Sequence, residues 1–305
     1  DSVLNIFGQE IVVESDVSLA VSRLNRIIEI QKILIDQIRV LETMTAMDFL
    51  EFRDDLFPSS GFQSAQFRLL ENKLGLLKNE RINYGRQDYK NVILDEEKVK
   101  VEQSENEKSL FKLLENWLER TPFLSFEGFS FWEQYSDAVR SMLKKEITVI
   151  RTNPNHTKTE IEIHLKEHER AVASFEAMIS PEKHNELIEK KKKRLSHKAT
   201  QAALLIFLYR DEPILHSPFN LLSRIMDVDE LFTTWRQRHA LMVRRMIGAK
   251  IGTGGSSGHA YLQATADRHK VFAELADLST FFIPRSALPE LPEHIKQNLG
   301  YYFKS

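Results

Sequence analysis

The stretch LAVSRLNRIIEIQKILIDQIRVL, Leu19–Leu41, sets Leu24, Ile27, Ile28, Leu34, Ile35, Ile38 and Leu41 at steps of three and four residues, with Arg, Lys, Glu and Asp between them. That spacing puts the apolar side chains on one stripe of a 3.6-residue period and predicts a long amphipathic helix. The same period recurs over Gln63–Leu77, Lys108–Glu119, Phe131–Arg151, Lys158–Ile179, Pro181–Lys193, Ser196–Tyr209, Asp229–Lys250 and Tyr261–Phe282. No segment carries the strict alternation of a half-buried strand, so the expected class is all-α, a large helical bundle. Glycine and proline gather between these runs, at Phe57–Phe62, Arg120–Phe129, Asp211–Phe219 and Ile283–His294, which read as long loops. Ser196–Tyr209 is apolar nearly all round and reads as a helix inside the bundle. The charge-rich part from 144 to 194 reads as an exposed helical lobe inserted in one domain spanning 1–305.

Composition narrows the function. The chain has 305 residues, is 42% hydrophobic and 28% charged, and has a formal net charge of -2, so no global field draws nucleic acid or an anionic membrane to it. It has no cysteine, which removes disulfides, thiolate metal sites and a cysteine nucleophile and fits a reducing cytoplasm. Its longest apolar runs, such as Ala202–Tyr209, fall far short of the roughly 20 residues that cross a bilayer. The opening DSVLNIFGQE begins at Asp1 and reads like the interior of a longer chain.

Several motifs compete for the chemistry. The basic run Lys190–Arg194 reads as a solvated helix end, and His164 and His168 in HLKEH, one helical turn apart, read as surface histidines because the acidic base of HExxH is lacking. The run GTGGSSG, Gly252–Gly258, has no lysine after its glycines for a Walker loop, and Ser257 stands where a dinucleotide fingerprint needs its third glycine. GGSSG fits the nucleophile elbow GxSxG with Ser256 as nucleophile, but a helix precedes it where the elbow requires a strand. The preceding helix is more informative: Leu231, Phe232, Trp235, His239, Met242, Val243 and Met246 share one face. His239 on that face is either a satisfied core histidine or the axial ligand of a buried haem, and spacing alone leaves both open.

A resemblance extends this reading. RHALMVRRMIGAKIGTGGSSGHAYLQAT (Arg238–Thr265) with FAELADLSTFFIPR (Phe272–Arg285) resembles the tryptophan 2,3-dioxygenase family. So do Leu41–Gly75, LLENWLERTP (Leu113–Pro122), RLSHKATQAALLIFLYRDEP (Arg194–Pro213) and LLSRIMDVDELFTTW (Leu221–Trp235); only Asn153–Lys193 is poorly matched.

The resemblance implies an all-helical enzyme, homotetrameric, that binds haem b and inserts O₂ across the indole C2–C3 bond of L-tryptophan, giving N-formylkynurenine. It makes His239 the axial ligand of the haem iron and puts Trp235 beside it, where core packing explains Trp235 equally well. Phe49, Arg53 and Leu56 would lie over the substrate, with Arg53 pairing its carboxylate; by spacing alone Arg53 reads as a surface partner of Glu51, Asp54 or Asp55. Ser60 and Gly61 would lie near the haem propionates or else form a plain turn, and Thr253 would meet the charged end of tryptophan. Ile251–Gly258 would be a lid that closes over substrate. The family's distal histidine and pocket-lining aromatics lie before the point where this sequence begins, so no catalytic residue is assigned, and that segment would either come from another polypeptide or belong to a longer form of this chain. His259 stands where the family commonly has tyrosine. The rival reading is a non-catalytic helical haem-binding or assembly protein related to the enzyme.

Overall fold

The computed structural model describes residues 17–57, 64–82, 93, 95–121, 131–253, 258–293 and 296. Every regular element among them is helical. Helix α1 (Val17–Leu41) buries Ala20, Leu24, Ile28, Gln31 and Ile38. This stripe is narrower than the sequence suggests: Leu34 and Leu41 lie beside it with Ile30, Ile33 and Val40 on exposed surface. Helix α2 (Ala46–Phe52) is opened by a capping box in which Thr45 and Asp48 satisfy each other's backbone amides, and it runs on into a 3-10 turn, Arg53–Leu56. Helix α3 (Ala65–Leu74) starts at the Ser64 cap and stops at Gly75, whose φ of 109° lies in the left-handed region.

Helix α4 (Asp95–Asn106) has no counterpart in the periodic pattern, because only Val101 and Ser104 are buried on it. It packs on α3, where Asn72 Nδ2 donates to Ser104 Oγ at 2.7 Å. Helices α5 (Leu110–Glu119), α6 (Phe131–Thr152), α7 (Lys158–Ile179) and α8 (Pro181–Glu189) follow nearly as the spacing predicts. Helix α8 ends short of Lys193 because the chain leaves the helix at Lys190 and turns left-handed at Lys191, φ 55°. Helix α9 (His197–Leu208) is buried almost throughout, as its all-round apolarity implies.

Helix α10 (Pro213–Ile247) has 35 residues and takes in Pro213–Phe219 of the stretch Asp211–Phe219 expected as a loop. Pro213 is its first residue, where no amide is needed, and Pro218 gives up one hydrogen bond early in the helix while Leu215, Leu221 and Leu222 anchor that stretch in the core. Tyr261–Phe282, expected as one helix, is divided into α11 (His259–Arg268), α12 (Ala273–Asp277) and a 3-10 turn, Leu278–Phe281. The break has a partner: the Asp229 carboxylate accepts from the amides of Val271 and Phe272 at 3.1 and 2.9 Å, withdrawing them from any helical ladder.

The described chain gathers into two compact units, one from the part up to Leu114 with Ser223–Ala273, the other from Glu115–Leu222 with the part after Glu274. In the second, α7 packs on α6 and α8, and α9 on α7 and α8. Tyr135 closes its aromatic core by donating to the Phe281 carbonyl at 2.7 Å. Within the charged stretch 144–194, His168, Phe175, Met178 and His184 are nonetheless buried. The histidine pair of HLKEH is therefore corrected in part. His164 is half-exposed beside Glu167, but His168 has a side chain only 4% exposed and faces Glu146 across the α6–α7 hairpin, Nδ1 to Oε2 3.2 Å. Among the described residues no three histidine or carboxylate side chains are set to hold a metal ion.

Candidate active site

The first unit encloses a cavity of about 380 Å³. Its wall along α10 includes Trp235, His239, Met242, Val243 and Met246 from the face predicted from spacing, joined by Arg236 and Ile247, whereas Leu231 and Phe232 of that face do not line it. The Trp235 and His239 rings lie one turn apart with centroids at 5.2 Å, and Phe67 from α3 continues the stack, 5.8 Å from Trp235. Burial alone pushes the His239 pKa below the ordinary histidine value, so its imidazole is held neutral. A neutral imidazole in an apolar wall has a nitrogen lone pair to offer a metal centre.

Phe49 from α2 and Arg53 from its 3-10 extension line the same cavity, as do Gly252, Thr253 and Gly258. Arg53 is half-buried, and its Nη2 donates to the carbonyl of Ile251, just where the glycine run begins. Gly258 has a φ of 54°, and a Cβ there would stand 3.3 Å from Ile247 Cδ1, so glycine permits this close approach to α10. The next residue, His259, is joined through Nδ1 to the carbonyl of Ala240 at 3.0 Å, which ties the start of α11 to α10 one residue beyond His239.

One end of the cavity is charged. Glu71 on α3 is 2% exposed and accepts from Arg68 Nη1 at 2.7 Å, Arg236 Nη2 at 3.2 Å and His269 Nδ1 at 3.2 Å, with Arg81 Nε at 3.7 Å. Burial pushes the Glu71 carboxyl up, but the His269 hydrogen bond and the three guanidiniums outweigh it and hold its pKa at about 2. His269 Nε2 accepts from the Ile82 amide at 3.2 Å, which fixes the tautomer that donates to Glu71.

The fold thus brings Phe49, Arg53, Trp235, His239 and Thr253 together, although 182 positions separate Arg53 from Trp235 in the chain. Leu56 does not line the cavity and is 39% exposed. Ser60, Gly61 and the middle of the glycine run, Gly254–Ser257, lie outside the described residues. Sequence reasoning missed Arg68, Glu71, Arg236, Tyr261 and His269, all of which line the cavity. The only local signal was the Arg68, Glu71 spacing of three; the remaining partners are brought in by tertiary packing.

Among the described residues the fold is all-helical, and its cavity presents the His239 imidazole in an apolar wall with buried guanidiniums at one end, an arrangement suited to holding a bound group. Comparison with known proteins makes the class specific. The family model described as tryptophan 2,3-dioxygenase matches residues 1–282. The chain is 45% identical over 302 residues to the tryptophan 2,3-dioxygenase of Dictyostelium discoideum, covering 99% of this chain and 76% of that one. It is 46% identical over 303 residues to the Bdellovibrio bacteriovorus protein of the same name, covering 99% and 84%. With the Alteromonas mediterranea protein of that name it shares 42% over 304 residues, covering 100% and 84%. The chain belongs to the tryptophan 2,3-dioxygenase family, and it is an oxidoreductase.

Proposed function

We propose that the chain binds haem b with His239 as axial ligand and uses O₂ to open the indole ring of L-tryptophan, giving N-formylkynurenine, the first step of tryptophan catabolism by the kynurenine route. The observation that carries this is the neutral His239 imidazole in the wall of an apolar cavity, in a chain belonging to this family. The residues present fit the group: the wall around His239 is formed by Trp235, Met242, Val243 and Met246, and of the two imidazoles that line the cavity His269 is engaged at both nitrogens by Ile82 and Glu71, which leaves His239 as the base to hold the iron. Bound haem supplies the activation of O₂; the protein supplies burial, orientation and the ligand.

Arg53 takes the tryptophan carboxylate, since a planar guanidinium makes two parallel bonds to it. Thr253 receives the charged end of the substrate from the other segment, and Phe49 packs on the indole. Trp235 braces the ring of His239. Ser60 and Gly61 are assigned to the substrate side, which the glycine run closes over; Leu56, which does not line the cavity, has no part in it. Both atoms of O₂ end in the product, so no side chain has to act as a strong nucleophile. No helix among the described residues is long and apolar enough to cross a membrane. From membership of the family we infer a cytoplasmic homotetramer.

The test is direct. Purified chain is titrated with haem while the Soret band is followed, then reduced and given tryptophan and air while N-formylkynurenine absorbance is recorded. Stoichiometric haem uptake and tryptophan-dependent product support the proposal. Haem uptake with tryptophan left unchanged would leave only the haem-binding reading.

A further inference from the structure

An axial histidine is commonly held by a hydrogen bond from its second ring nitrogen to a carboxylate or carbonyl, which sets both its tautomer and the rotation of its ring. His239 lacks that device. Among the described residues neither of its nitrogens takes part in a hydrogen bond, and burial alone lowers its pKa. Its neighbours in the wall, Met242, Val243 and Met246, offer at most a weak thioether acceptor. The ring has to be fixed by other means.

What touches it is aromatic. Trp235 lies one turn earlier on α10, with its ring centroid 5.2 Å from that of His239 and the planes inclined at 36°. A pair four residues apart on one helix still leaves each side chain a choice of rotamers. A ring brought in from a separate helix narrows that choice. Phe67 on α3 meets Trp235 at 5.8 Å with the planes inclined at 34°, within the range of favourable ring contacts. Phe67 is held in turn, for the Arg236 guanidinium carbon stands 5.6 Å from its centroid. That guanidinium is tied on two sides, Nη1 donating to the His269 carbonyl at 2.7 Å and Nη2 to Glu71 at 3.2 Å.

We propose that Phe67 is a positioning residue for the axial ligand: through Trp235 it fixes the rotation of the His239 imidazole, in place of the hydrogen bond that ordinarily does so. The inference rests on the haem reading above. Its consequence for function is that the ligand is turned to the cavity before haem arrives, so that little ordering remains to be done on binding.

The experiment loads the parent and its variants with haem, follows uptake by the Soret band, and records electron paramagnetic resonance of the ferric cyanide adduct, whose g values depend on the rotation of the axial imidazole plane. Phe67→Leu is expected to weaken haem uptake about five- to tenfold, the worth of a lost aromatic contact, and to broaden or double the parent's single set of g values. Phe67→Tyr keeps the ring and is expected to stay within about twofold of the parent in uptake, with parental g values. On a Trp235→Leu background, Phe67→Leu is expected to cost less than about twofold more, because the path to His239 is already broken. The proposal is overturned if Phe67→Leu retains the parental g values even with weaker uptake, since a purely structural role lowers haem content without turning the ring. It is equally overturned if Phe67→Tyr behaves like Phe67→Leu, or if Phe67→Leu costs as much with Trp235→Leu as without it. Should Phe67→Leu fail to fold, Phe67→Met is judged by the same outcomes. A parent chain that takes up no haem overturns the haem reading itself, an outcome visible before any variant is compared.

Discussion

Arg53 and Ile251 are joined by a hydrogen bond from the guanidinium Nη2 to the backbone carbonyl, 198 residues apart in sequence. The bond ties the 3-10 turn after α2 to the start of the glycine run, so the guanidinium proposed to take the tryptophan carboxylate also touches the segment proposed to close over it. Arg53→Lys keeps the charge but loses the planar fork. It is expected to raise KM for tryptophan by roughly 10- to 100-fold, the worth of about 1.5–3 kcal/mol for a charged hydrogen bond, with kcat changed only a few-fold. Steady-state kinetics decide this, and a KM within about twofold of the parent would remove Arg53 from the substrate site.

His239→Gly should abolish haem uptake while leaving the fold intact, because the change opens a space in a wall that already borders a cavity. Free imidazole in millimolar amounts is then expected to restore a Soret band by entering that space. Since burial depresses the His239 pKa, haem uptake by the parent should stay level as pH falls through 6.5, the ordinary histidine value, and decline only below it. Full haem content in His239→Gly without imidazole would assign the ligand elsewhere.

The range of the forces involved decides what could be read from the sequence and what stayed hidden in it. Periodicity is local, so the all-helical class, the buried α9 and the cavity-facing side of α10 could be read directly. Helix α4 was hidden because it turns so little apolar surface inward, and the helical stretch Pro213–Phe219 was hidden because prolines near a helix start resemble loop punctuation. His168 reads as a surface residue until Glu146, 22 positions away, is packed against it. The Glu71 cluster is the extreme case. Its members come from α3, the segment at Arg81, α10 and His269, and only tertiary packing makes a buried carboxylate with three guanidinium partners tolerable.

Glu71 also predicts the acid limb of stability. Its carboxyl is held at about 2 against an ordinary value of 4.5, a depressed folded-state pKa. Its contribution is therefore present above about pH 4.5 and is lost as pH falls from there toward 2. A shift of this size corresponds to stability on the order of 3 kcal/mol. Urea unfolding at pH 6 and at pH 3 should differ accordingly, and Glu71→Gln should flatten the difference while weakening the protein at pH 6. An acid limb unchanged in Glu71→Gln would assign it to other carboxylates.

Gly75 closes the helix that carries Arg68 and Glu71, and two independent features require it to be glycine. Its φ is 109°, and a Cβ would stand 2.8 Å from both the Phe111 Cβ and the Ser109 Oγ. Its amide also completes α3 by donating to the Glu71 carbonyl at 3.0 Å, so a shift there is felt directly by the residue at the centre of the cluster. Gly75→Ala is expected to cost about 2–3 kcal/mol, combining left-handed strain with overpacking against α5. The loss should appear in urea unfolding of the first unit, accompanied by a weaker Soret band on haem loading because α3 supplies Phe67 and Arg68 to the cavity. Gly75→Ala with parental stability and haem content would mean that this end of α3 yields freely and that the cluster does not depend on it.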